Sequence, residues 1–184
     1  MDVLLSVVLM VICSWLFLLI ILLYLISGHR DIFFVQERIG WKEKAFRLIK
    51  FRTLKENRLL PTDQRQFRLG NFLRSTSLDE LPQVWNVLKG EMSFIGPRPL
   101  LLEYSAFFSP QERARHQIRP GITGWAQVNG RNSISWKEKF QYDLYYLQHL
   151  SFWLDVRIFI KTIVLLVSFK KDRSLQEEKF TGNA

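Results

Sequence analysis

The sequence predicts an α+β fold, mainly helical: an N-terminal membrane-inserted helix, then a compact cytoplasmic domain with a small β element and interface helices. Three observations carry this. Val3 to Ile26 runs without a charged residue. Apolar residues then recur at helical spacing in several segments separated by Pro, Gly and Ser clusters. One stretch around Gly40 mixes aromatic and β-branched residues with charged ones, the pattern of a half-buried hairpin. The expected units are a membrane-inserted helix over 1–27, a folded domain over 28–169 that closes with an amphipathic interface helix, and a polar tail over 170–184.

At roughly 1.5 Å per residue the first segment reaches about 36 Å as a helix, enough for a hydrocarbon layer of about 30 Å. A cleaved leader fits poorly, because its apolar core is about 7–15 residues after a basic start, whereas this chain opens on Met1-Asp2. Ser27-Gly28 ends the helix. "AFRLIKFRT" then reads as a strand, with Phe46, Leu48 and Lys50 alternating with Arg47, Ile49 and Phe51. "PTDQRQFRLGNFLRSTS" reads as a short helix broken by its Ser/Thr cluster. In "DELPQVWNVLKG", Leu81, Val84, Trp85 and Leu88 share a helical face and Gly90 suits the stop. Ser109 caps a further helix with Pro110 in its first position. "RPGITGWAQVNGRN" reads as a loop or a set of tight turns. A last long element starts near Trp136 and breaks near Ser151. Its second half places Phe152, Val156, Phe159, Ile160, Ile163 and Val167 on one face and Arg157 and Lys161 on another, as in a helix lying in a membrane interface. A core helix is the competing reading.

Charge and cysteine usage narrow the function. The formal net charge is +9. Between Ser27 and Leu78 twelve Lys/Arg face five Asp/Glu, a basic flank that favours the cytoplasmic side of a membrane and suits phosphorylated or anionic partners. Cys13 is the only cysteine and the three histidines are scattered, so an intrachain disulfide and a His/Cys zinc site are excluded.

Against that basic background Asp79 and Glu80 stand as an adjacent carboxylate pair. Pro82 is tolerated only in the first turn of a helix, so the pair lies at or just before a helix start. Ser77-x-x-Glu80 matches a capping box, with Asp79 complementing the helix dipole. The other reading is chemical. Arg74 lies upstream and Arg98 sits in "GPRP", on stiff backbone suited to phosphate oxygens. A carboxylate among such cations stays ionised, and it can attack phosphorus or hold Mg²⁺ against a diphosphate.

"LRSTSLDELPQVWNVLKGEMSFIGPRPLLLEY", "IRPGITGWAQVNGRN" and "YDLYYLQHLSFWLDVRIFIKTI" together closely resemble the bacterial monotopic phosphoglycosyl transferases, in their minimal catalytic form. The resemblance runs from about Asp2 to Ile163. It implies transfer of a sugar-1-phosphate from a UDP-sugar to undecaprenyl phosphate, giving undecaprenyl-diphosphate-sugar and UMP. This is the first membrane step of glycan assembly. It further implies ping-pong chemistry with a covalent phosphosugar on Asp79, Glu80 as its partner, and Mg²⁺ at Asp79. Lys50, Arg52, Arg74 and Arg98 become candidates for phosphate or uridine contacts. Arg119, Gln127, Asn129 and Arg131 match the Gly-rich family segment. Gly121 and Gly124 are read as turn formers, the tryptophans Trp85, Trp125 and Trp136 as packing or anchoring residues. Asp143 and Asp155 are each read as paired with a basic residue. The implied location is the bacterial inner membrane, with the catalytic domain facing the cytoplasm. N-acetylated amino sugars are plausible donors and hexoses remain open.

One departure bears on topology. Family members commonly break the membrane helix at Ser-Pro and return it to the same face, which makes it re-entrant. Here the corresponding pair is Ser14-Trp15, and no proline precedes Pro61. Sequence physics alone favours a straight span, with at most a weak bend at Ser14; the family favours re-entry, and re-entry is the expectation adopted. Competing functions are a membrane-tethered basic binding protein and a scaffold without turnover. No nucleic-acid module is recognisable, so nucleic acid is not an expected partner.

Overall fold

The computed structural model describes residues 2–57, 59–130, 133–168 and 180–182. The expected α+β, mainly helical architecture is what it shows, with two small two-stranded sheets. The N-terminal apolar segment forms two helices, α1 (Asp2–Ile12) and α2 (Ser14–Ile26), bent by 57° at Cys13. Among the described residues no single helix is long and apolar enough to cross a membrane, whereas the bent pair together has the length and composition to do so. The bend needs no proline. Ser14 Oγ donates to the Val11 carbonyl at 2.8 Å, and Cys13 leaves helical geometry at φ −91°, ψ 3°. The bend is larger than a serine alone produces, and tertiary packing supplies the rest. α1 folds back onto the domain, where Ser6 is fully buried, and Asp2 lies near enough to Tyr146 and Asp155 for its charge to act on both. A straight helix would carry Asp2 tens of ångströms away.

β1 (Phe33–Ile39) and β2 (Ala45–Phe51) form the expected antiparallel hairpin, with Phe34 opposite Lys50 and Arg38 opposite Phe46. Strand alternation sends Phe46 and Leu48 inward against Val87 and Met92. Phe51 points the other way and packs with Ile20, Tyr24 and Leu73, tying the hairpin to α2 and to α3 (Arg68–Ser75). α4 (Gln83–Leu88) follows, and its face differs from the expected one. Gln83, Val84, Asn86 and Val87 are buried while Trp85 is exposed. Asn86 explains this. Its amide donates to the Arg47 carbonyl and to Glu91, and its oxygen accepts from the Ile49 N–H, so a fully satisfied polar side chain clamps α4 to β2.

The Gly-rich segment is not a loop. Gly121–Thr123 forms β4, parallel to β3 (Ser93–Ile95), and Trp125–Asn129 forms α6. The two strands approach so closely that a Cβ on Gly121 would lie 2.1 Å from the Gly96 nitrogen. Gly121 and Gly124 therefore serve close backbone approach rather than turns. α5 (Pro110–Arg113) starts at a Ser109/Glu112 capping box as expected. α7 (Trp136–Gln148) starts at another, formed by Ser135 and Glu138, and Ser151 caps α8 (Phe152–Val167). On α8 only Ile158 is fully buried, and Phe152, Phe159, Ile160, Ile163 and Val167 are exposed, which disfavours the core-helix reading. Most of the stretch read as a polar tail lies outside the described residues. Phe180 within it is not polar surface: it is 3% exposed, among Tyr104, Phe108, Trp136 and Phe140.

Candidate active site

The carboxylate pair lies where two elements change direction. Ser77 adopts a left-handed conformation (φ 57°) that turns the chain out of α3 into a 3-10 turn, Leu78–Glu80, and Pro82 then leads into α4. The proline argument holds. The capping box does not, because Ser77 makes no side-chain cap and the Glu80 carboxylate turns to Arg98, with Nη1 donating to Oε1 at 3.2 Å. Asp79 is 6% exposed.

The charges acting on Asp79 are those of Glu80, Lys50, Arg74 and Arg98. Each arrives from a different element. Lys50 shares the inward face of β2 with Phe46 and Leu48; burial pulls its ammonium below the usual range, and the Asp79 and Glu80 carboxylates oppose that. Arg74, in the last turn of α3, donates to the buried Thr53 hydroxyl at 2.5 Å. Arg98 stands between Pro97 and Pro99, and its carbonyl accepts from Arg115 at 2.8 Å. Arg115 in turn forms a buried ion pair with Asp143 of α7 at 2.7 Å, as expected for Asp143. Burial, reinforced by Glu80, pushes the Asp79 carboxyl up to about 6, and the three cations restrain the rise. At neutral pH it is mainly ionised, desolvated and facing cations, which is the state a carboxylate nucleophile for an anionic phosphorus requires.

The remaining expected residues that are described are not among the charges acting on Asp79 and make other contacts. Arg52 donates to the Phe33 carbonyl at 3.3 Å and lies 4.0 Å from Glu56. The Arg119 guanidinium stacks on Trp41, 5.2 Å from the ring centre. Gln127 and Asn129 sit on α6 beside α8, where Asn129 Oδ1 accepts from Lys161 at 2.6 Å. Arg131 lies outside the described residues. Among the described residues Asp155 has no basic partner, contrary to expectation; it accepts from the Tyr146 hydroxyl at 2.7 Å.

Two contributors escaped sequence reasoning. Arg38 donates to the Pro99 carbonyl at 3.3 Å and to Gln36 at 2.7 Å, and its charge acts on Lys50. Pairing β1 with β2 in register puts Arg38 on the Lys50 face, a signal available from strand alternation. Tyr24 of α2 donates its hydroxyl to the Arg52 carbonyl, joining the apolar segment to the end of β2.

The donor set bears on Mg²⁺. Among the described residues no group of three or more His, Cys, Asp and Glu could hold a metal alone. A buried aspartate with one adjacent glutamate fits an ion shared with substrate phosphates, which is how Mg²⁺ is commonly bound.

Comparisons with known proteins identify the family. A family model described as bacterial sugar transferase matches residues 1–169. The uncharacterized sugar transferase EpsL of Bacillus subtilis (strain 168) is 45% identical over 160 residues, covering 83% of this chain and 79% of the relative. The UDP-glucose:undecaprenyl-phosphate glucose-1-phosphate transferase of Xanthomonas campestris pv. campestris is 39% identical over 160 residues, 78% of this chain but 33% of the relative. A third relative, the UDP-N-acetylgalactosamine-undecaprenyl-phosphate N-acetylgalactosaminephosphotransferase of Aeromonas hydrophila, is 37% identical over 179 residues, 89% of this chain and 42% of the relative. The chain thus spans about a third to two fifths of the latter two.

Proposed function

The chain belongs to the bacterial sugar transferase family and is a glycosyl-1-phosphate transferase, and from this premise we propose that it moves a sugar-1-phosphate from a UDP-sugar to undecaprenyl phosphate by way of a covalent intermediate on Asp79. One observation carries the reading: Asp79 is buried beside Glu80, with Lys50, Arg74 and Arg98 from three separate segments near enough for their charges to act on it. The two curated transferases named above use UDP-linked sugars and undecaprenyl phosphate, which supports the same substrate classes here.

In the first half-reaction an Asp79 oxygen attacks the sugar-bearing phosphorus. The bond from that phosphorus to the bridging oxygen breaks, and UMP leaves with the electron pair. In the second, a phosphate oxygen of undecaprenyl phosphate attacks the aspartyl phosphosugar, which forms the diphosphate and returns the carboxylate. Lys50, Arg74 and Arg98 offset the negative charge that gathers when anions meet. Glu80 holds Arg98 in place. Mg²⁺, held by Asp79 together with the donor's phosphates, would neutralise diphosphate charge. Dividing the transfer lets a water-soluble donor and a lipid acceptor use one small site in turn.

The lipid acceptor requires a membrane. α1 and α2 form a bent, re-entrant membrane helix in the cytoplasmic leaflet of the bacterial inner membrane, and α8 lies in the same interface. The packing of α1 on α4 and the exposed apolar row on α8 support this.

The test is UMP release from a panel of UDP-sugars with Mg²⁺ and undecaprenyl phosphate. Wild type releases UMP from at least one donor, and Asp79→Asn loses it by at least a thousandfold. Undiminished turnover in Asp79→Asn would remove Asp79 as nucleophile. No release from any donor by folded wild type would favour the scaffold reading.

A further inference from the structure

Arg157 and Lys161 lie four residues apart on α8, one turn of the same face. Both converge on one indole. The Arg157 guanidinium is 5.5 Å and the Lys161 ammonium 4.7 Å from the centre of the Trp125 ring. Tyr145 also stacks on Trp125, with ring centres 5.9 Å apart. Lys161 donates to Asn129, and among the described residues neither cation has a carboxylate within ion-pair distance. Like charges at this spacing repel along a helix. An aromatic face attracts cations but brings no neutralising charge. Two adjacent cations so held are suited to an anion.

The position of the pair says which anion. Trp153, one turn before Arg157, is 77% exposed, and Ile160 and Val164, three and seven residues after Arg157, are also exposed. The cations thus border the exposed apolar stripe of α8. On a helix lying in an interface, such a border falls at the depth of lipid phosphates, with aromatic residues at headgroup level.

We propose that Arg157 and Lys161, mounted on Trp125, form a binding surface for the phosphate of an anionic phospholipid headgroup. This rests on the membrane-interface reading of α8 given above. The surface holds the C-terminal helix at a fixed depth and turns membrane charge into orientation of the domain.

The full chain, purified and reconstituted into nanodiscs of phosphatidylcholine and phosphatidylglycerol, is then released in mild detergent. Native mass spectrometry counts the lipids retained. Wild type keeps phosphatidylglycerol over phosphatidylcholine by about tenfold, on the scale expected for two basic residues at a charged surface. Arg157→Gln/Lys161→Gln loses that preference. Arg157→Lys/Lys161→Arg keeps most of it, which separates lost charge from misfolding. Lys42→Gln/Lys44→Gln, on the exposed hairpin turn, removes the same charge elsewhere and keeps it too. Unchanged preference in the double Gln variant, or equal loss in the hairpin control, would overturn the proposal. So would displacement of the lipid by inorganic phosphate at millimolar concentration, which marks a soluble-anion site. Undecaprenyl phosphate retained in place of phosphatidylglycerol would reassign the surface to the acceptor and overturn it likewise. Failure of wild type to enter nanodiscs at all would overturn the membrane reading itself, a result distinguishable from the others.

Discussion

Asp79 holds its charge against its surroundings, and this has a measurable sign. Its folded pKa of about 6 lies above the ordinary value of about 3.9 for an unfolded chain. Between those values the folded state binds more protons, so its contribution to stability is present below the lower value and is lost as pH rises through the upper one. At pH 7.5 the ionised carboxylate costs about 3 kcal/mol. Asp79→Asn in chelator should therefore raise Tm by roughly 5–10 °C at pH 7.5, with the gain shrinking toward pH 4. Thermal unfolding across that range checks it; a lower Tm for the variant at pH 7.5 would show that the carboxylate is stabilising. The buried Arg115–Asp143 pair gives the opposite case. Arg115→Met leaves a buried carboxylate unpaired and should cost about 3–5 kcal/mol by denaturant unfolding. Arg115→Met/Asp143→Leu should regain most of that stability. It should not regain activity, because the bond from Arg115 to the Arg98 carbonyl is still absent.

Between neighbouring elements, Glu80 and the glycines separate site from scaffold. Glu80 bonds Arg98 and caps nothing, and the Arg98 side chain is half exposed. Glu80→Gln should cost less than about 1 kcal/mol in stability while lowering kcat/KM at least tenfold; a large stability loss with normal turnover would restore the capping-box view. Gly121→Ala forces a Cβ into the Gly96 backbone and should prevent correct folding, read as loss of soluble, monodisperse protein. Gly90, at φ 75° with open space around it, should tolerate alanine at about 1 kcal/mol. The sequence was legible where local rules decide. Strand alternation placed Lys50, and Pro82 placed the carboxylate pair at a helix start. It was misleading where packing decides. "RPGITG" looks like turns because glycine signals both conformational freedom and close approach, and only the partner strand tells which. Helical spacing alone left Trp85 as a packing or anchoring residue, and the Asn86 clamp on another face leaves it exposed.

Across the whole molecule, the N-terminal bend and the site are one construction. α2 reaches the domain through Tyr24 and Phe51, and α1 returns to α4, so the N-terminal apolar segment is packed against the element that follows Asp79. Local sequence physics favoured a straight span because it saw Ser14 without a proline; the contacts that bend the chain come from residues far along it. Arg38 and Phe180 were hidden for the same reason, since each acquires its role from partners distant in sequence. The topology predicts that a tag at Met1 and one in the domain are both protected from a membrane-impermeant reagent in intact cells, whereas labelling of Met1 alone would mean a span. The most direct test of the central claim is the intact-protein mass after mixing with a competent UDP-sugar and Mg²⁺, without acceptor. The account predicts a mass increase equal to one sugar phosphate on wild type, absent from Asp79→Asn and discharged by undecaprenyl phosphate. UMP release with no adduct at any time after mixing, and with release strictly dependent on acceptor, would contradict a covalent intermediate on Asp79.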